Sequence, residues 1–277
     1  MNDNLNEFKN FEHTGWERVA DKYDEAWTSL TTQFAQPLLA AVGMKPGMRL
    51  LDLACGPGNI TAAARRLGAI PVGVDFSRNM ILRARKKNPG IEFVEGDAER
   101  LEFKFESFDG VVMNFGVLHL AHPEKAFAEV RRVLRRGGRF GFSIWAKPDE
   151  NPGARIVAEA VETHANTTTD LPPEGPPRFR FSDADECWRA LQAAGFSVLS
   201  MTFDTVRVNW KVPTTRFLFD AELHAGVRTA AVLARYSPEQ LAAIRSAVEQ
   251  SVERFASNGG YAIPMAAQIV SAARNHE

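Results

Sequence analysis

Hydrophobic positions change period along the chain. Between residues 15 and 43, Trp16, Val19, Ala20, Tyr23 and Trp27 recur at spacings of three and four, which predicts helix up to Pro46-Gly47. From residue 49 onward, short apolar runs alternate with amphipathic stretches. Strands are predicted at 49–54 (RLLDLA), 70–75 (IPVGVD), 91–97 (IEFVEGD), 108–115 (FDGVVMNF) and 139–146 (RFGFSIWA). Helices are predicted between them over 59–68, over 77–87 with Ser77 as N-cap, and over 123–138 with Pro123 in the first turn and glycines at the end. A further helix (183–193) and strand (194–210) follow. Strands this continuously apolar are covered on both faces. Strand and helix alternating at this period give an α/β, doubly wound, mostly parallel sheet with right-handed crossovers.

Composition narrows the picture by exclusion. The 277 residues are 45% apolar, enough for one sizeable core with an elaboration. Net charge is −1 and the pI about 6.6, so no overall basic field favours nucleic acid. Two local basic runs, 78–87 and 131–139, carry no interleaved aromatics and read as solvated helix faces. Cys55 and Cys187 offer neither a disulfide framework nor zinc spacing. No apolar run approaches the ~20 residues of a membrane span, and the first ten residues lack a signal-peptide core. A cytoplasmic protein is the expectation. The stretch NTTTDLPPEGPP (166–177) reads as an exposed loop.

The first strand runs into a glycine turn, LLDLACGPGN (50–59). Glycines between strand one and helix one suit a nucleotide-containing ligand. The dinucleotide fingerprint G-x-G-x-x-G fits in neither register, because Thr61 or Asn59 falls where its third glycine belongs, and no Walker G-K-[ST] occurs. Asp52, Asp75 and Asp97 sit on strands one, two and three, 23 and 22 residues apart, so parallel strands bring them to one sheet edge. A carboxylate at the mouth of the turn repels pyrophosphate and tolerates a cation. S-adenosylmethionine, a sulfonium nucleoside, meets that requirement.

On these residues the chain resembles the class I S-adenosylmethionine-dependent methyltransferases, in the small-molecule branch that includes the quinone-biosynthesis C-methyltransferases. The motifs are DLACGPG, with Ala54 at the first glycine position, GVDFS, GDAE, MNFGVLH, and LRRGGRF, with Arg136 in place of the usual proline; together they span 45–146. The resemblance implies a seven-stranded sheet with strand seven antiparallel. It implies Asp75 on the ribose, Asp97 with the Ala98 amide on adenine, and Glu99 beside them. Phe76 and Met80 would flank the base. Asp52, Ala54, Gly56 and Gly58 would form the turn, with the amides of both glycines toward the ligand's carboxylate. Asn114 would meet the methionine amine, and Tyr23, one turn from Trp27, would cover the methionine end.

His119 and His122 have a spacing that could hold a metal on a helix, yet no third ligand is near, so no metal is expected. His119 and His224 are the candidate general bases. Strand seven has two candidates: a hairpin directly after residue 203, or the far segment 262–274. The family's chain ending favours the far one. Residues 213–258, whose SPEQLAAIRSAVEQSVERF has a Ser cap and Pro at N1, then form a helical lid over the acceptor pocket, with Phe217, Phe219 and Leu223 on its apolar face. The expected organisation is a helical cover (1–44), the core (45–212), the lid (213–258) and the last strand (259–277). The implied function is methyl transfer to a small, partly apolar acceptor. The alternative is a catalytically silent cofactor-binding protein of regulatory or scaffolding type.

Overall fold

A computed structural model describes residues 2–164 and 172–275. Part of the 166–177 loop, residues 166–171, lies outside them. The chain begins with α1 (Asn2–Ala26), α2 (Thr28–Thr31) and α3 (Ala35–Ala41). Next come β1 (Arg49–Leu53), α4 (Asn59–Arg66), β2 (Ile70–Asp75), α5 (Arg78–Lys87), β3 (Glu92–Glu95) and β4 (Phe108–Asn114). A short turn of helix at Val117–His119 leads to α6 (Pro123–Val133), β5 (Leu134–Trp145), α7 (Pro152–His164), α8 (Ala184–Ala193) and β6 (Phe196–Val212). The chain closes with α9 (Phe217–Ala225), α10 (Arg228–Leu233), α11 (Pro238–Glu253) and β7 (Gly260–Arg274). A two-residue strand, Ala256–Ser257, pairs with the start of β7.

The strands order as β3-β2-β1-β4-β5-β7-β6. Neighbours are parallel from β3 to β5, and β7 runs antiparallel to both β5 and β6. The far segment is therefore the last strand, inserted between β5 and β6. Side-chain alternation on β5 explains the layering: Phe140 and Phe142 meet Phe127 of α6, while Gly141 between them faces Leu38 of α3 and Val42 at its C-cap. α3 and α6 thus cover opposite faces. A Cβ at Gly141 would lie 2.7 Å from Val42, so this strand needs glycine for α3 to seat.

Boundaries differ from the sequence pattern in several places: the helix predicted over 15–43 is broken into α1, α2 and α3, β5 starts at Leu134, and β6 runs Phe196–Val212. α1 begins at Asn2, not near residue 15, and its buried positions are Phe8, Glu12, Gly15, Val19, Ala20 and Ala26. The polar Glu12 holds an inward position, so the apolar period is broken where the helix continues. The helix predicted to 138 ends at Val133, because Leu134 turns extended and buries beside Phe108 on β4. The third strand is shorter than predicted, Glu92–Glu95.

The helices after β6 are tied to the N-terminus and not set apart from it. The Trp27 ring stacks on Trp210 of β6 at 5.4 Å, and its Nε1 donates to the Ala225 carbonyl at the end of α9. Trp210 Nε1 donates to Ser29 Oγ at 3.0 Å. A Cβ added to Gly15 would sit 2.3 Å from a methyl of Val227, so the side chain just before α10 packs directly on the α1 backbone. Among the described residues no helix is long and apolar enough to cross a membrane.

Candidate active site

One cavity opens at the carboxyl ends of β1, β2 and β4, beneath α1 and the α9–α10 corner. Its floor starts with Asp75, the last residue of β2. Asp75 Oδ2 accepts from Gly56 N–H at 2.8 Å and Oδ1 from Ser77 N–H at 2.9 Å. Ser77 in turn caps α5 by accepting from Met80 N–H. The carboxylate is thereby aimed before any ligand arrives, with lone pairs to spare for a pair of hydroxyls. Burial pushes its pKa up to about 6.

Phe76, Met80 and Ala98 continue the wall beside it. Asp97 Oδ1 accepts from Glu99 N–H, and its Oδ2 receives Lys9 Nζ of α1 at 2.6 Å. Lys9 also reaches Glu99 Oε2 at 2.7 Å, and Glu99 Oε1 accepts the His122 N–H. One lysine on the cover thus closes over both acids.

The other end is apolar. Trp27, Phe115, Trp145, Leu218 and Met265 line it, with the Phe115 and Trp145 rings stacked at 3.9 Å. Ala54 and Phe115 are non-glycines in the left-handed region, with φ of 51° and 55°. They meet around Gly116, where a Cβ would come within 2.6 Å of the Ala54 methyl. Ala54 therefore fits at its turn because Gly116 has no side chain. Asn114 lines the cavity while its side chain acts as a strut: Oδ1 accepts from Ser143 Oγ at 2.7 Å and Nδ2 donates to the Thr31 carbonyl. Tyr23 lines it too, and desolvation pushes its phenol up to about 12, so it keeps its proton.

Between the two ends sits His119, with a carboxylate beneath it. His119 Nδ1 is 2.9 Å from Glu12 Oε2, and the Trp16 indole both donates to that oxygen at 3.1 Å and packs edge-on against the imidazole. Arg228 pairs with the other Glu12 oxygen and with the Leu118 carbonyl, its guanidinium over the Phe8 ring. Burial would raise the Glu12 carboxyl, but His119 and Arg228 together hold it below the usual range. Burial lowers the His119 pKa, with Arg228 and Arg178 adding to the effect against the pull of Glu12. A lowered pKa leaves the imidazole neutral at pH 7, and the ionised Glu12, which can only accept, assigns its proton to Nδ1. Nε2 has no hydrogen-bond partner among the described residues.

Several sequence expectations need correction. His224 is exposed and absent from the cavity wall: α9 turns Leu218, Glu222 and Ala225 inward, and His224 lies on the outer side. Phe217, Phe219 and Leu223 are likewise not on the wall; Phe217 packs on Trp210. Asp52 is buried behind the turn, with Oδ2 accepting from Thr61 Oγ1 at 2.5 Å and Oδ1 unpartnered among the described residues. Gly58 also sits behind the wall, where its left-handed φ of 80° and the closeness of Phe93 demand glycine. Neither turn amide is free for a ligand's carboxylate: Gly56 N–H goes to Asp75 and Gly58 N–H to the Cys55 carbonyl. His119 and His122 do not share a helix, and no group of three or more metal-ligating side chains occurs among the described residues. Sequence reasoning missed Lys9, Glu12, Arg178 and Arg228: Glu12 interrupts the apolar period of α1, and no motif marks the other three.

Comparison with known proteins gives the family and the fold. A family model described as a methyltransferase domain matches residues 51–142. A demethylmenaquinone methyltransferase of Renibacterium salmoninarum is 33% identical over 162 residues, covering 56% of this chain and 68% of the relative. Another, from Beutenbergia cavernae, is 38% identical over 125 residues, covering 45% of this chain and 52% of the relative. The chain thus spans about two thirds of the first and about half of the second. The crystal structure of the YcgJ protein from Bacillus subtilis superposes with a TM-score of 0.54 at 19% identity, covering 88% of this chain and 99% of that one; it speaks for the fold alone. The chain belongs to the class I S-adenosylmethionine-dependent methyltransferases, enzymes that share this Rossmann-like sheet and take S-adenosylmethionine as cofactor. The residues present suit it: a pre-aimed carboxylate for a ribose, an apolar slot for a base, and an aromatic chamber beyond.

Proposed function

We propose that the cavity methylates a small, partly apolar acceptor, with His119 as general base and Glu12 as the residue that positions it. The observation that carries this reading is His119, which faces the same cavity as Asp75 and is backed by the buried carboxylate of Glu12. Bound S-adenosylmethionine supplies a methyl group on a sulfonium, an electrophile whose leaving group is already good.

The chain's own residues do the rest. Asp75 would hold the ribose, Asp97 and the Ala98 amide the adenine, and Phe76 and Met80 its faces, with Glu99 acting through Lys9. Tyr23, Ala54, Gly56 and Asn114 would surround the methionine end. Trp27, Phe115, Trp145 and Leu218 give the acceptor an apolar seat and keep water out. His119 Nε2 takes the acceptor's proton, sharpening the nucleophile, while ionised Glu12 steadies the imidazolium that forms. Orientation in the closed chamber supplies much of the remaining rate.

The α9–α10 corner serves as lid, latched to α1 through Arg228–Glu12 and Val227–Gly15. In this division residues 1–44 cover the cofactor, 45–212 and 259–277 form the core, and 213–258 roof the acceptor. The demethylmenaquinone methyltransferases are relatives whose named acceptor is also largely apolar, which supports an apolar acceptor here. The test is incubation with methyl-labelled cofactor and a metabolite extract, followed by mass spectrometry. A labelled apolar product is expected; its absence across extracts in which the protein binds cofactor would count against the proposal.

A further inference from the structure

One cation in the cavity has no task in this account. Arg178, in the irregular segment before α8, lines the cavity, and its Nε is buried with no hydrogen-bond partner among the described residues. Its contact of charge is the Phe179 ring, 5.7 Å from the guanidinium. The other cations are spent: Arg228 on Glu12 and the Leu118 carbonyl, Lys9 on Asp97 and Glu99. Glu222 lines the same cavity and forms no ion pair with Arg178 among the described residues, so the wall does not supply the missing anion.

A guanidinium offers a planar fork of donors that matches a carboxylate in two parallel hydrogen bonds. Desolvated on one side and unpaired, it favours a ligand that brings the opposite charge. Arg178 adds its positive field to His119 and Arg228 and so belongs to the base's end of the cavity. The aromatic lining of Trp16, Trp27, Phe115 and Trp145 is shared by the same chamber. We propose that Arg178 receives a carboxylate carried by the methyl acceptor, so that the substrate class is aromatic or apolar acids and not their neutral counterparts. The inference rests on the methyl-transfer reading above, and the cofactor's own carboxylate is the competing occupant.

The test uses wild type and Arg178→Gln, each saturated with S-adenosylhomocysteine. Both are titrated calorimetrically with hydroxybenzoic, hydroxycinnamic and hydroxynaphthoic acids and with the primary amides of the same acids. Wild type should bind the acids about tenfold more tightly than the amides, the worth of one charged hydrogen-bonded contact. Arg178→Gln should erase that preference with S-adenosylhomocysteine affinity unchanged. No binding of any acid, equal binding of the amides, or a preference that survives the substitution would overturn the proposal. So would weakened S-adenosylhomocysteine binding in the variant, which would assign the guanidinium to the cofactor. Wild type that failed to bind S-adenosylhomocysteine at all would instead refute the methyl-transfer reading.

Discussion

Glu12 Oε2 lies 2.9 Å from His119 Nδ1, joining the N-terminal helix to the turn after β4 across 107 residues of chain. Glu12 is fully buried and shared with Arg228, so one carboxylate contacts the candidate base and ties the first residue of α10 to α1. Glu12→Gln keeps the shape and removes the charge. It leaves the Arg228 guanidinium unpaired in a buried setting, which should cost about 3 kcal/mol of stability. Denaturant melts of the two proteins check this, and a change near zero would mean that Arg228 finds another partner.

The pH profile should carry the mark of a buried imidazole. Burial holds His119 below its ordinary pKa, so the neutral form persists as pH falls and is lost only below about 6.5. The acid limb of kcat should therefore lie below pH 6.5. In Glu12→Gln the opposing pull of the carboxylate is gone, and the limb should move further toward acid. An acid limb well above pH 7 would exclude His119 as the base.

Cofactor binding should fall off in acid for a different reason. Asp75 has its pKa raised by burial to about 6, and a ribose diol donates to the ionised form. Affinity for S-adenosylhomocysteine should hold from pH 8 to pH 7 and weaken below pH 6 as a proton competes. Asp75→Asn should lose about 1.5–3 kcal/mol of binding at pH 8 and show a flatter profile. Calorimetry across pH measures both.

Asp52 offers the opposite sign in stability. Burial pushes its carboxyl up to about 7, far above the ~3.9 of an unfolded aspartate. The ionised form therefore destabilises the fold at pH 8, and that penalty relaxes as pH falls through 7 toward 4. Asp52→Asn, which still accepts from Thr61, should stabilise the cofactor-free protein at pH 8 by up to about 4 kcal/mol, with the gain gone near pH 4. Equal stability at pH 8 would show that Asp52 is already neutral or solvated.

Gly15→Ala tests the latch by shape. The new Cβ would meet a Val227 methyl at 2.3 Å and its Cβ at 3.2 Å, so the valine or the helix behind it must shift. Overpacking of this kind costs about 1–3 kcal/mol. If residues 213–258 roof the acceptor as proposed, turnover should fall further than cofactor affinity; kinetic assays and calorimetry read the two effects separately, and thermal melts read the cost in stability.

Most of what the sequence made legible was local. Asp75 and Ser77 could be read because a strand end, a turn and a cap lie within three residues. β7 was legible at a distance because its partner strand had to be found after the Ser237-capped helix. Glu12 was not, since a buried acid at an inward position reads as a break in the helix. His224 was misplaced because α9, FLFDAELHA, is apolar on more than one side and its period names no inner face. The occupied amides of Gly56 and Gly58 depend on Asp75 and on the local turn, which spacing alone does not reveal. Arg178 and Arg228 reach the site from segments whose sequence carries no motif for it.

The most direct test of the account is the single-turnover rate of methyl transfer by His119→Asn, measured beside its affinity for S-adenosylhomocysteine with the acceptor found by the labelled-cofactor screen. The variant should bind S-adenosylhomocysteine as wild type does and transfer about 10²–10⁴-fold more slowly, the span expected for loss of a general base. Transfer at the wild-type rate with binding intact would contradict the role given to His119.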